Sequence, residues 1–389
     1  ETYLDVAFFC HWQGREWDAV KYIQSALECL NVDVQPDVSR LSPRSPIDRP
    51  MGGPETTSQE TYLIAKAYTQ WGMAATIMGE IPEALDKLHS ADVLHQQIGG
   101  NDAFISIVSL WSLSWCAFIA ETPRQMLAYA LQAIEVCRTS NKPEWEPMMN
   151  YTAAWAYMLL GQLAQGEQAA REALKKAEQL GVVGAQGWAN LVLAFIAILA
   201  GRWEEAQQTG DSAYAIATML HDADLQARVL WSRSLCAGWQ GDWERAISEV
   251  LEALQVARQE GDILLMVYPH LLVQAAKAHF HAGKPEQAQT YLDQGMQLAQ
   301  SRRYRQLPAI GLRLQGRIWT AQGKFEEAQP CFEQSLSELL AIDDMVEYAR
   351  TEEAYGLFYL ARNHEGDFER GQFLIKSAQA TFERLGVNG

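Results

Sequence analysis

Gly201-Arg202-Trp203-Glu204-Glu205-Ala206 returns as Gly241-Asp242-Trp243-Glu244-Arg245-Ala246, then as Gly283-Lys284-Pro285-Glu286-Gln287-Ala288 and as Gly323-Lys324-Phe325-Glu326-Glu327-Ala328. Outward from this centre, further copies stand at Gly14-Arg15-Glu16-Trp17-Asp18-Ala19, Gly79-Glu80-Ile81-Pro82-Glu83-Ala84, Gly161-Gln162-Leu163 and Gly366-Asp367-Phe368-Glu369-Arg370. One more, Glu121-Thr122-Pro123, has lost its glycine. Successive copies lie 40 to 43 residues apart, except the first two, which lie 65 apart. A period of this length marks a repeat array and decides the fold class.

The chemistry of the copy identifies the unit. An apolar helical run ends, a glycine supplies the left-handed backbone that a helix C-terminus favours, and an acidic turn then opens the next helix at the positive end of its dipole. Each unit is therefore a helix-turn-helix hairpin. Seven positions before the glycine stands a small residue in eight of nine copies: Ala7, Gly72, Ser114, Ala154, Ala194, Ser234, Ala276 and Gly316, with Tyr359 in the last. Five positions after it stand Ala19, Ala84, Ala206, Ala246, Ala288 and Ala328, replaced by Gly166 and Gly371 in two copies. Small residues at both places allow the two helices of a hairpin to approach closely.

This spacing resembles the tetratricopeptide pattern, although the usual unit is shorter, near 34 residues. The long repeats carrying Ala173 to Gly181, Ala253 to Asp262 and Ala380 to Gly386 are similar in style to the C-terminal sensor arrays of bacterial STAND signal-transduction ATPases. The resemblance implies an all-α, right-handed superhelical solenoid of about nine hairpins, running as one domain over residues 1–389. First helices are expected near 1–13, 59–78, 103–120, 144–160, 185–200, 222–240, 263–282, 305–322 and 345–365, each followed by a second helix. Residues 31–58 carry Pro36, Pro43, Pro46, Pro50 and Pro54 with Gly52-Gly53, and are expected to form a flexible insertion. The sequence opens at Glu1 inside a repeat helix without a methionine, so a piece of a longer polypeptide is expected.

Composition narrows the function classes. With 31 basic and 48 acidic residues the net charge is −17, which disfavours nucleic acid as a partner of the whole surface. The six cysteines form no C-x-x-C pair, which fits buried thiols in a reduced, cytoplasmic setting. No 18 consecutive apolar residues occur, the nearest run being Leu191 to Ala200, and no membrane is expected. Gly283-Lys284 and Gly323-Lys324 lack the serine, threonine and upstream glycine of a phosphate loop. His279 and His281 are two apart on a helix and face different ways. No catalytic, metal or cofactor site is expected, and the chain is not read as an enzyme.

In tetratricopeptide arrays the first helices form the concave wall, and the resemblance implies that positions ten and six before the glycine face the groove. From the third to the eighth repeat the first column reads Trp111, Tyr151, Leu191, Trp231, Val273, Arg313, and the second Trp115, Trp155, Phe195, Leu235, Lys277, Arg317. Trp188 and Trp239 occupy other groove-side positions, and His270 and His281 flank Lys277. Two placements are open for the aromatics, a groove wall or packing between repeats, and two for the cations, capture of a ligand's anionic group or pairing within the chain. The turn aromatics Trp17, Trp203, Trp243, Phe325 and Phe368 are expected to pack within hairpins, and Arg302-Arg303-Tyr304-Arg305 to meet a helix terminus. The expected function is a sensor that binds an inducer (a small molecule, peptide or protein) in the groove and relays occupancy to an ATPase or effector domain elsewhere on the polypeptide. The alternative is a passive scaffold for protein partners.

Overall fold

The computed structural model describes residues 1–12, 15–32, 57–258 and 266–388. The expected insertion therefore lies largely outside the described residues. Nine hairpins follow one another: α1 (Thr2–Trp12) with α2 (Glu16–Cys29), α3 (Ser58–Met78) with α4 (Ile81–Gln97), and α5 (Ala103–Ala120) with α6 (Pro123–Thr139). Next come α7 (Glu146–Leu159) with α8 (Leu163–Leu180), α9 (Val183–Leu199) with α10 (Trp203–Leu220), and α11 (Ala223–Trp239) with α12 (Trp243–Val256). The last three are α13 (Tyr268–His281) with α14 (Pro285–Ser301), α15 (Gln306–Ala321) with α16 (Phe325–Ala341), and α17 (Met345–Arg362) with α18 (Asp367–Leu385). The all-helical repeat solenoid expected from the sequence is thus observed, and no strand occurs among the described residues.

Local chemistry sets the ends of these helices. Gly79 ends α3 with φ of 76° and Gly201 follows α9 with φ of 71°, a conformation that would strain any side chain. Where the glycine is missing, at Glu121, the next helix is started instead by Thr122, whose hydroxyl accepts from Gln125 N at 3.2 Å, with Pro123 in its first turn. The small residues act as inferred. A Cβ on Gly316 would come within 2.8 Å of Phe332 Cζ, and one on Gly72 within 2.6 Å of Leu88 Cγ.

First helices pack against one another in an unbroken row from α1 to α17, while each second helix packs on its own first helix and the next one. Trp203, Trp243 and Phe325 pack within their own hairpins, as expected, and Trp243 and Phe325 also reach the next hairpin. Trp203 packs on Ala197, Ile198 and Ala206, and a Cβ on Gly238 of α11 would come within 2.7 Å of Trp243, while Trp243 also stacks on His281 of α13 at 4.2 Å and Phe325 meets Phe358 of α17 at 5.9 Å. Phe368, in the ninth hairpin, is 64% exposed and Trp17 is also exposed, so these two depart from the expected packing within hairpins.

Curvature brings distant hairpins together. Met266 N donates to Ile77 O at 3.0 Å, Arg302 donates to Met78 O at 2.7 Å and pairs with Glu80 at 2.7 Å, and Arg305 N donates to Ile119 O at 2.9 Å. Arg124 pairs with Asp343, and Asn388 N reaches Leu199 O at 2.6 Å. The turn edge of one hairpin thereby meets a connection about five hairpins later. Arg302 does engage a helix terminus, as expected, but one more than 200 residues away in sequence. These contacts close the concave groove into the interior of a coil.

One helix, Ala103–Ala120, is long and apolar enough to cross a membrane by length and composition, a feature the search for unbroken apolar runs overlooked. More than half of that stretch is buried within the coil, where α5 packs between α3 and α7.

Gly316→Val is expected to cost about 1–3 kcal/mol by overpacking against Phe332, read as a lower midpoint in denaturant unfolding with an unchanged slope. An unchanged midpoint would refute the close approach inferred between α15 and α16.

Candidate functional site

The inward faces of α5 to α13 carry a continuous series of rings. Trp111 meets Trp115 at 6.5 Å, Trp115 meets Trp155 at 5.8 Å, Trp155 meets Phe195 at 5.1 Å, and Phe195 meets Trp231 at 5.1 Å. Trp231 then meets His270 at 5.4 Å, and His270 meets Tyr304 at 5.5 Å. Most contacts are edge-on or tilted, the arrangement that the ring quadrupole favours. Tyr151 stacks on Trp188 at 5.7 Å beside this series. Neighbouring first helices thus put one large ring each against the next, which is why Trp111, Trp115, Tyr151, Trp155 and Phe195 are buried. Of the two placements left open for the aromatics, packing between repeats holds for these five, and Trp188, Trp231 and Trp239 are half-buried beside them.

Two cavities flank the ring series. The first, about 340 Å³, is lined by Phe8, Trp111, Trp115, Trp145, Tyr151 and Trp188, with Met73, Met148 and Met266 completing its apolar wall. Its polar lining includes His11, Glu16, Asp222, Asp224 and Arg228. The second, about 160 Å³, lies between Trp155, Phe195, Trp231, Trp239 and Ile310, with Lys277, Arg313, Asp344, Glu347 and Arg350 at its polar end.

Arg228 is the functional candidate that the sequence reading missed. It is 1% exposed, its Nε donates to Asp224 at 3.0 Å, and its guanidinium lies 5.4, 5.9 and 5.5 Å from the rings of Trp115, Trp155 and Trp188. Its Nη1 has no hydrogen-bond partner among the described residues, nor have the indole N–H groups of Trp115 and Trp155. A buried donor without an acceptor costs about 1–3 kcal/mol, so these groups favour an occupant that brings acceptors. Close by, burial pushes the Asp222 carboxyl up to about 6 although it accepts from Leu225 N at 2.9 Å. Burial, assisted by the Arg228 charge, pulls the His270 ring down to about 3 and keeps it neutral. Glu16, also raised by burial, is bonded to His11 at 2.5 Å.

The predicted cations divide. Arg313 donates to Glu347 O at 3.0 Å and to Glu347 Oε2 at 2.6 Å, and Arg317 engages His281 Nε2 at 3.1 Å while lying over the Phe280 ring. Of the two placements left open for the cations, pairing within the chain therefore holds for Arg313, whose partner is a carboxylate, while Arg317 meets only a neutral imidazole. Lys277 makes no hydrogen bond or ion pair among the described residues, and its ammonium lies 5.2 Å from the Trp239 ring centroid. Its residual exposure is to the cavity it lines, and burial together with the Arg350 and Arg313 charges pulls it down to about 7. Burial pushes the Glu347 carboxyl up, but Arg313 and Arg350 outweigh it and hold the group well below the usual carboxylate range. Among the described residues no cluster of three or more His, Cys, Asp or Glu is placed to hold a metal.

No protein-family model matches the sequence, and no curated protein matches it. Solved structures do. A Rap protein complexed with competence and sporulation factor is 14% identical, with 99% of this chain and 97% of that chain covered at a TM-score of 0.69. NprR in complex with its cognate peptide NprX is 15% identical, with 97% and 98% covered at 0.60. The Rap conjugation gene regulator of the plasmid pLS20 in complex with the Phr* peptide is 12% identical, with 83% and 96% covered at 0.60. All three are tetratricopeptide-like helical repeat proteins, and at these identities the likeness establishes the fold alone.

Asp222, with its carboxyl raised when folded, binds its proton more tightly in the native chain than in the unfolded one. Stability contributed by this group is therefore present below its unfolded value and lost as pH rises towards about 6. Asp222→Asn, which keeps the cap oxygen, is expected to raise the melting temperature at neutral pH more than in mild acid; equal shifts at both would refute the buried carboxylate.

Proposed function

We propose that the chain is a receptor for a short, extended, largely apolar peptide, or such a segment of a protein, taken into the interior of its coil. The observation that carries this reading is the first cavity, with six aromatic rings in its wall and the unpartnered Nη1 of Arg228 at its edge. Aromatic walls suit apolar side chains, and orphaned donors suit the carbonyls of a peptide backbone better than they suit a hydrocarbon. The Rap and NprR structures of similar fold hold peptides, which makes a peptide the first class to test.

Met73, Thr76 and Ile77 wall the first cavity from the second hairpin, and Met266 walls it from the connection after the sixth. An occupant touching both would favour one arrangement of the two turns of the coil over others, a population shift that a signalling module can read. We propose a nucleotide-hydrolysing module of the STAND type as that reader, and no catalytic role for the chain itself. A passive adaptor is the second reading. Exposed Phe368 and Phe373 on the ninth hairpin favour it, since they offer a protein partner an apolar face outside the coil.

Titration of tryptophan fluorescence with a panel of random-sequence hexapeptides tests the receptor reading. A subset is expected to give saturable changes, and Trp188→Ala is expected to weaken binding by about tenfold or more while native helicity is kept. Loss of no affinity in that variant, or silence across the panel, would reject interior binding.

A further inference from the structure

The second cavity holds an excess of positive charge with an uneven distribution of partners. Facing Lys277 of α13 are Arg313 and Arg317 from α15, Glu347 and Arg350 from α17, and His281 on its own helix. Asp344, just before α17, lines the same cavity and is raised by burial and by Glu347. Glu347 is shared between Arg313 at 2.6 Å and Arg350 at 2.5 Å, and Asp344 accepts from Gln306 and from Glu347 N. Arg317 is held by His281. Of the cations that line the cavity, Lys277 alone has no carboxylate partner among the described residues.

We propose that the second cavity takes the C-terminal carboxylate of a peptide, with Lys277 Nζ as its counter-ion and the last side chain against Phe195, Trp231, Leu235 and Ile310. This rests on the receptor reading above and deepens it. Three observations carry it. An ammonium without a carboxylate partner, set beside the Arg313 and Arg350 charges and largely removed from water, is costly unless an anion joins it. The guanidinium forks, which suit a phosphate dianion, are already occupied by Glu347, whereas a compact ammonium suits a single carboxylate. The cavity, about 160 Å³, has room for one terminal residue rather than for an extended anion. The lowered proton affinity of Lys277 agrees with this, because an unpartnered buried ammonium gains most from an arriving negative charge.

Calorimetric titration of the full chain with N-acetylphenylalanine, its carboxamide, and N-acetylglutamic acid α-amide tests the proposal and separates a terminal from a side-chain carboxylate. The free acid is expected to bind about tenfold more tightly than either of the others, and Lys277→Met to erase that difference. Without any substitution, the acid's affinity is expected to fall about tenfold from about pH 6 to about pH 8 as Lys277 loses its proton, while that of the carboxamide stays level. Inorganic phosphate is expected not to compete. Equal affinity for acid and carboxamide, displacement by phosphate, preference for the glutamate side chain, or no binding of any of the three overturns the carboxylate site. The hexapeptide panel judges the receptor reading separately, since amidated peptides that bind as well as free acids remove this site and leave that reading standing.

Discussion

The contact between successive turns of the coil is the constraint on which the rest of the structure depends. Backbone and guanidinium hydrogen bonds at Ile77, Met78 and Ile119 tie the edges of the second and third hairpins to connections near Met266 and Arg302 to Arg305. Helical repeats alone would leave a concave groove open to water. Trp111, Trp115 and Trp155 would then present a large apolar face, which a monomeric protein seldom carries. Closure removes those rings from solvent and turns groove residues into core residues, while leaving two spaces that the rings do not fill.

The ring series therefore has two tasks. It joins first helices across five hairpins, because each ring spans from one helix to its neighbour, and it walls both cavities. Trp155, 1% exposed, is central to the first task, and truncation to alanine at such a position costs about 3–5 kcal/mol whatever it does to binding. Trp188 and Trp239, half-buried at the cavity margins, belong more to the second. Charges inside the coil follow the same division. Arg228 is tethered by Asp224 and cushioned by three tryptophan faces, whereas Glu347 neutralises two arginines at once.

The period, the hairpins and most helix limits were legible because they depend on local chemistry: a glycine with positive φ, a small residue at a close approach, a cap. Register then pointed to the correct inward positions, since Trp111, Tyr151 and Trp231 all line the interior. Exposure was not legible. It depends on bonds between residues some 190 to 220 apart, such as Met266 to Ile77 and Arg302 to Met78, which no repeat pattern encodes. Which of its two placements Arg313 takes was not legible, because its partner Glu347 lies in the next hairpin, at a position the groove columns do not sample. Arg228 carried a readable signal. It stands three residues before Trp231 on the same helical face of α11, whereas the other arginine of that helix, Arg233, pairs with Asp211.

Unpartnered polar groups inside the coil link closure to occupancy. Arg228 Nη1 and the indole N–H groups of Trp115 and Trp155 lose water when the turns meet, and no acceptor among the described residues replaces it. Each such group weakens the closed coil relative to the open one. A ligand that supplies acceptors removes that penalty only in the closed form, because Ile77 and Met266, from opposite turns, stand in the same wall. Binding free energy would then appear partly as affinity and partly as tighter closure, in proportion to how many orphaned donors the ligand satisfies. An apolar molecule that merely filled the first cavity would gain dispersion contacts yet leave the donors unpaired. The interior is therefore better matched to a backbone, with carbonyls at regular intervals, than to a compact hydrophobe of equal volume.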